Sequence, residues 1–292
     1  MIECPQCRSA LMEAGQACTG CGFSAPVVDG FRVWAPELAH DAAGAFFDPA
    51  GFDALAALED ANFWFQARNE LILWALERYC GAPRRYAEIG CGTGYVLAAV
   101  ERKLPECEVL GSELFVHGLG FAARRCRRAE LVQMDARSMP YRGHFDAMGI
   151  FDVLEHIDED RAVLGQIAQA LVPGGGLLIT VPQHAWLWSA VDEAACHVRR
   201  YSAAEIEGKV RAAGFDILRS TSFVSLLLPA MYASRWFARK PDGSSAGAEL
   251  QINPVLNRLF RRVMALEFAM IRRGADLPLG GSRLIVARRD DR

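Results

Sequence analysis

Ala87-Glu88-Ile89-Gly90-Cys91-Gly92-Thr93-Gly94 closes a short apolar run, Tyr86–Ile89, and opens an amphipathic one, Tyr95–Lys103. Glycines at alternate positions let a backbone turn sharply and let a ligand approach without meeting a Cβ. The helix that follows presents free N–H donors at its start. Strand, glycine turn and helix in that order are the nucleoside-binding opening of a doubly wound α/β sheet. Glu113 ends the next apolar run, nineteen residues beyond Gly94, where a carboxylate can accept both hydroxyls of a ribose. Dinucleotide folds share both features, but their glycines are spaced G-x-G-x-x-G, and this loop is one residue tighter.

Outward from the loop, short apolar runs alternate with helical patterns. The runs are Tyr86–Ile89, Val109–Ser112, Leu131–Met134, Phe145–Phe151 and Leu177–Val181, with helices near Tyr95–Lys103, His117–Arg128 and Glu159–Leu171 between them. Such alternation implies a mainly parallel sheet covered on both faces. A helix at Ala203–Ala213 and strands at Phe215–Thr221 and Arg283–Ala287 bring the count to about seven strands. A helical pattern, Phe52–Cys80, precedes the first strand, and a long insertion, Phe223–Gly281, broken by a Gly/Ser-rich segment at Asp242–Gly247, precedes the last.

Further motifs follow in order: Met134-Asp135-Ala136 ends strand three, Phe151-Asp152-Val153-Leu154-Glu155-His156-Ile157 ends strand four, and Leu171-Val172-Pro173-Gly174-Gly175-Gly176 turns into Leu177–Pro182. From about Phe63 to Thr221, and again at Arg283–Ala287, the chain resembles the class I S-adenosylmethionine-dependent methyltransferases, including the ubiquinone-biosynthesis type. The resemblance implies a Rossmann-like doubly wound seven-stranded sheet whose last strand is antiparallel, with S-adenosylmethionine as cofactor. It implies that Glu88 faces the methionine amino group and that Gly90, Cys91, Gly92 and Gly94 pass the methionine and ribose. Glu113 would take the ribose diol, Leu114 would lie against adenine, Asp135 beside Ala136 would hold the adenine amine, and Phe151 and Asp152 would line the methyl-transfer mouth.

Trp64-Phe65-Gln66-Ala67-Arg68-Asn69 lies on the helix before strand one. Trp64 and Arg68 are candidates to cover the cofactor, Arg68 by reaching the cofactor's carboxylate, while Phe65 and Trp74 read as core. The loop after strand five carries His184, Trp186, Trp188, Asp192, Glu193, His197, Arg199, Arg200 and Tyr201, and ligands in open α/β sheets bind beyond strand ends. Methyl transfer to a hydroxyl requires an aligned acceptor and removal of a proton, so His184, His197 and Asp152 are the candidate bases. Arg199 or Arg200 can hold an anionic acceptor. The structural alternative pairs Glu193 with His197 and has the arginines brace the loop. His156 reads as a loop anchor.

Cys4-Pro-Gln-Cys7 and Cys18-Thr-Gly-Cys21 form two C-x-x-C knuckles separated by ten residues, the spacing of a structural Zn²⁺ ribbon with all four positions filled by protein. So short a segment needs its metal to fold. The domain reading is a zinc ribbon at 1–25, a loop-rich linker at 26–51 with breakers Pro26, Pro36 and Pro49, and a catalytic domain at 52–292 with its helical insertion at 223–281. Pro254–Gly274 is amphipathic: Leu256, Leu259, Phe260, Val263, Met264 and Met270 lie on one side, with Arg258, Arg261, Arg262, Arg272 and Arg273 on the other and Glu267 the one acid. Such a helix either rests on an anionic membrane surface or packs its stripe on the domain.

The chain has 292 residues, 52% hydrophobic and 23% charged, with 32 Lys+Arg against 35 Asp+Glu. It has ample core material, and its slight acidity argues against life on nucleic acid. Nine cysteines with five scattered singly do not form a secreted disulfide framework. The longest apolar stretch, Phe223–Ala238, is too short to span a bilayer, and no charged-then-apolar leader opens the chain, so a cytoplasmic protein, membrane-associated at most, is expected. The leading reading is methyl transfer, at oxygen, to a small-molecule, glycan or lipid-linked acceptor. The alternatives are an rRNA or tRNA base methyltransferase reading RNA through the ribbon, and a non-catalytic scaffold recruiting a partner.

Overall fold

The structure, a computed structural model, describes residues 1–11, 16–39, 51–237 and 252–291. Pro49 and the Asp242–Gly247 break lie outside the described residues. The sheet core comprises β5 (Arg85–Ile89), β6 (Glu108–Glu113), β7 (Glu130–Gln133), β8 (Phe145–Phe151), β9 (Leu171–Pro182), β10 (Phe215–Phe223) and β11 (Ser282–Arg289). Their spatial order is β10-β11-β9-β8-β5-β6-β7, with β11 antiparallel to both neighbours and β5 to β9 parallel. The expected seven strands and antiparallel last strand are therefore present. The chain order reverses between β5 and β8, and the crevice at their carboxyl ends is where such sheets bind ligands.

Two short strands correct the loop-rich linker. Among four labelled β1 (Ile2–Glu3), β2 (Ala10–Leu11), β3 (Val27–Val28) and β4 (Phe31–Val33), the last two extend the sheet, β4 pairing parallel with β7. Trp34 N donates to Gln133 O at 2.9 Å, and fully buried Val33 packs with Val116 and Ala39. Pro26 and Pro36 flank these strands rather than interrupt them. The backbone of β7 would otherwise be an open edge, and β4 pairs with it.

Helices cover both faces. α1 (Gly51–Leu58) and α2 (Phe63–Cys80) are two elements, because the Asn62 side chain accepts from Trp64 N at 2.8 Å and starts α2 afresh. α3 (Tyr95–Lys103) and α4 (Val116–Arg125) share a core with α2, whereas α5 (Asp160–Ala170) and α7 (Ala203–Ala212) pack Val163, Leu164, Ile167, Ile206 and Val210 on the other face. A short α6 (Ala190–Ala194) lies in the loop between β9 and α7. The expected turn at 171–176 is the start of β9, where the register shifts between Phe145 and Ala147 of β8.

The insertion holds α8 (Leu228–Phe237) and α9 (Pro254–Arg272), the latter packed against α2. Its inward face is Met264, Glu267, Phe268 and Ile271. Glu267, read as part of the charged side, is fully buried there, and its Oε2 accepts from Ser225 N and Leu226 N, each at 2.7 Å. Two backbone donors thus make an inward acid tolerable. Among the described residues, no helix is long and apolar enough to cross a membrane.

Candidate functional site

A cavity of about 790 Å³ opens at the carboxyl ends of β5, β6 and β8, lined by the glycine loop and by both helices of the insertion. The loop is held open by its glycines. Gly90 has φ +67, and a Cβ there would come within 2.5 Å of Val153. Gly94 has φ +75, and a Cβ there would meet the α4 backbone, 2.8 Å from Ala122 Cα. Behind the loop, Thr93 Oγ1 donates to both carboxylate oxygens of Glu59 at 2.8 and 2.6 Å, and Arg125 pairs with the same carboxylate. This brace was not read from the sequence, since its three members come from the end of α1, the loop and α4.

Glu88, one residue before the end of β5, is almost wholly buried, and its Oε2 has no hydrogen-bond partner among the described residues. Burial pushes its carboxyl up to about 8, with Arg68 pulling it down and Glu59 adding to the rise. An unpartnered acceptor in the cavity wall fits an ammonium group. Glu113, at the end of β6, accepts from Gly92 N through Oε2 at 3.0 Å and from Leu114 N through Oε1 at 2.7 Å. Burial raises this carboxyl, while the N–H groups of Gly92, Leu114 and Phe115 oppose the rise. Leu114 and Ala136 line the wall beyond, and Asp135 accepts from Arg137 N at 2.8 Å and pairs with its guanidinium. Cys91 also lines the cavity, but its side chain belongs to the core around Leu97 and Leu119. A buried acid with an unpartnered oxygen, a second acid at the next strand end and the apolar Leu114 and Ala136 follow in sequence, a set that fits S-adenosylmethionine.

At the mouth, Arg68 Nη1 donates to Asp152 Oδ2, which also accepts from Thr180 Oγ1 at 3.0 Å. The Arg68 guanidinium lies 4.7 Å from the Trp64 ring centroid, so Arg68 bridges Trp64 to Asp152, while its Nε has no hydrogen-bond partner among the described residues. Phe65 is buried, as expected for core, and Phe151 lines the cavity beside Asp152. Asp152 Oδ2 is already engaged by two donors, which suits it to positioning.

The two loop histidines separate. His184 is not among the cavity-lining residues; it stacks on Trp186 at 5.2 Å between centroids, and burial together with Arg283 and Arg200 lowers its pKa. His197 lines the cavity, and its Nδ1 lies 2.9 Å from Asp192 Oδ1. The expected Glu193–His197 pair is therefore an Asp192–His197 pair. The reason is local: Ser189 and Asp192 form the capping box of α6, which turns Asp192 inward and leaves Glu193 to accept from Trp188 Nε1 at 3.4 Å. Burial raises the Asp192 carboxyl, but the His197 hydrogen bond and the Arg200 guanidinium outweigh it and hold the group at about 2. Arg199 is taken up by Asp160 at 2.7 Å and Asp158 at 3.1 Å, outside the cavity.

The strand-four motif by itself gives Glu155 and His156 no site role, yet both line the cavity beside His197. The insertion and α2 add apolar side chains to the wall: Phe63 from α2, Leu227 and Met231 at α8, and Leu256 and Phe260 from α9.

The ribbon lies elsewhere. Its four sulfurs converge, Cys4 Sγ lying 3.5 Å from Cys21 Sγ and Cys7 Sγ 3.5 Å from Cys18 Sγ. It is docked on the segment entering β8: Glu3 N donates to Pro140 O at 2.7 Å, Ile2 bridges to Tyr141, and Cys4 and Cys18 share a core with Trp34 and Met139. None of its described residues lines the cavity, which opens at the other end of the parallel strands.

Residues 57–220 match the family model described as a methyltransferase domain, more than half of the chain. The chain belongs to this family. The chain is 26% identical, over 57% of its length and 65% of the other's, to a protein named as a probable S-adenosylmethionine-dependent methyltransferase from Mycolicibacterium smegmatis. It is 28% identical over 44% of this chain and 59% of a demethylmenaquinone methyltransferase from Thermus thermophilus. The chain thus spans less than two thirds of the length of these relatives. Among solved structures, a Haemonchus contortus phosphoethanolamine N-methyltransferase with bound S-adenosylhomocysteine superposes with a TM-score of 0.55 at 18% identity, covering 84% of this chain and 60% of that one. That likeness concerns the fold.

Proposed function

We propose that this methyltransferase transfers the methyl group of S-adenosylmethionine to an oxygen of a small-molecule or lipid-linked acceptor that carries an apolar portion. The carrying observation is the composition of one cavity. The glycine loop and the acids Glu88 and Glu113, the insertion's apolar Leu227, Met231, Leu256 and Phe260, and the cluster Glu155, His156 and His197 all line it. When bound, the cofactor supplies a methyl group already activated on a sulfonium. The chain's task is then to orient, to exclude water and to receive the acceptor's polar group. Glu88 takes the ammonium group, Glu113 the ribose, and Arg68 locks Asp152 at the rim. The apolar wall removes the acceptor's hydrocarbon from water at about 25 cal/mol per Å² buried. The polar cluster meets the hydroxyl end.

The ribbon's four thiolates are proposed to hold one structural Zn²⁺. A tetrahedral ion with bonds of about 2.3 Å sets its sulfurs about 3.8 Å apart, close to the 3.5 Å seen within the two pairs. RNA recognition through the ribbon finds no support, because Arg8 is its one basic residue and the ribbon is docked away from the cavity.

Incubation with methyl-labelled cofactor and fractionated cell extract tests the acceptor class. The expected outcome is label in an organic-soluble product, present as an O-methyl group. Label confined to RNA or protein would overturn the reading.

A further inference from the structure

Glu155, His156 and His197 each offer one ligand atom, and these atoms all lie within 4.8 Å of one another. We infer that these three residues form a divalent transition-metal site, separate from the ribbon, in the wall of the cavity.

Glu155 carries the argument. It is fully buried, it lines the cavity, and neither carboxylate oxygen has a hydrogen-bond partner among the described residues. A buried carboxylate with both oxygens unpaired is costly unless something pairs with it, and coordination to a cation is one of the few ways to satisfy it. The two imidazoles complete a set of nitrogen and oxygen donors. His156 and His197 meet edge to face with centroids 4.8 Å apart. Asp192 Oδ1 at Nδ1 of His197 is the carboxylate–histidine arrangement that orients metal-binding imidazoles and leaves Nε2 for the ion. The nearest guanidinium groups do not oppose a cation freely, since Arg200 Nε is paired with Asp192 at 2.7 Å and Arg68 with Asp152.

Bonds of about 2.0–2.2 Å require the ligand atoms to close to about 4.2 Å or less, an adjustment of less than about 1 Å per side chain. Two histidines and one carboxylate suit zinc, cobalt or ferrous ions rather than magnesium or calcium, and three protein ligands leave coordination positions open toward the cavity. An acceptor hydroxyl bound there would be held beside Asp152 with its proton more readily lost to water. This role rests on the proposed O-methylation, but binding of the metal does not.

The test uses the full-length protein with its ribbon loaded with zinc, titrated with Co²⁺ by calorimetry and visible absorption. One further Co²⁺ per chain is expected to bind, without the thiolate-to-cobalt charge-transfer band of a cysteine site. Glu155→Gln and His197→Ala should each abolish that binding, and Asp192→Asn should weaken it about 10–100-fold. S-adenosylhomocysteine binding confirms that each variant is folded. If Glu155→Gln does not fold, His156→Ala and the wild-type stoichiometry decide the matter. No Co²⁺ beyond the ribbon, or binding that survives both ligand substitutions, would overturn the site, leaving Glu155 a protonated acid. No acceptor is needed, so failure here and failure of the O-methylation reading are separately visible.

Discussion

Glu88 holds its proton further up the pH scale than a free carboxyl, because burial disfavours its charged form. An ammonium group placed at its unpartnered oxygen favours that charged form, so cofactor binding at neutral pH should release a proton. Affinity should then rise as pH increases toward about 8. Glu88→Gln removes a charge-assisted bond of about 1.5–3 kcal/mol, so affinity should fall about tenfold or more and lose this pH dependence. Calorimetry in buffers of different protonation enthalpy reads both effects. The stability consequence has the opposite sign. The unfolded chain gives up this proton near 4.5 and the folded chain near 8, so stability contributed by the group declines as pH rises between those values. Denaturant titrations at several pH values should show that decline flattened in Glu88→Gln.

The glycine loop and the ribbon are elements with different sensitivities. A methyl group at Gly94 requires positive φ of an alanine and pushes on the α4 backbone, which a flexible side chain cannot relieve. Gly94→Ala should therefore cost about 1–3 kcal/mol of stability, measured by urea denaturation, and weaken cofactor binding with it. The ribbon is docked at the opposite end of β8. Cys4 and Cys18 lie in the same core as Trp34, Met139 and Tyr141, so loss of its metal should be felt beyond the ribbon itself. Cys4→Ser is expected to release the proposed zinc and lower the melting temperature, while cofactor affinity measured below that temperature stays within a few-fold. A ribbon that lost zinc without any change in melting would be an independent appendage.

At the scale of the whole molecule, a mixed apolar and basic surface lies around α9. Val255, Leu256 and Leu259 are exposed there beside Arg258, Arg261 and Arg262. The inward face of the helix is taken by α2, so what remains for a membrane is this outer rim next to the cavity. A lipid-linked acceptor would reach the cavity from that side. Vesicles containing anionic lipid should bind the protein more tightly than neutral ones. Replacing the three arginines with Gln should remove most of that difference, each basic residue near such a surface being worth about 1 kcal/mol. Equal binding to both vesicle types in a sedimentation assay would leave the rim a solvent-facing surface.

The order of the strands, the glycine turn, the acids near the ends of β5 and β6, and the paired cysteine knuckles were legible in the chain because each depends on neighbours a few residues away. Alternating periodicity names the layers, and a glycine at a turn or an acid at a strand end announces itself locally. What those side chains meet was not legible. Asp152 and its partner Arg68 are 84 positions apart, and the brace between Glu59 and Arg125 spans 66. The edge strands at 27–33 depend on the open backbone of β7, which no local pattern in that segment reveals. His184 and His197 look alike in sequence, and it is the inward turn of Asp192 and the packing of the loop that put one outside the cavity and the other in its wall. Glu155 reads as one more acid in a strand-end motif; only burial, which belongs to the assembled fold, makes its unpaired oxygens a chemical fact.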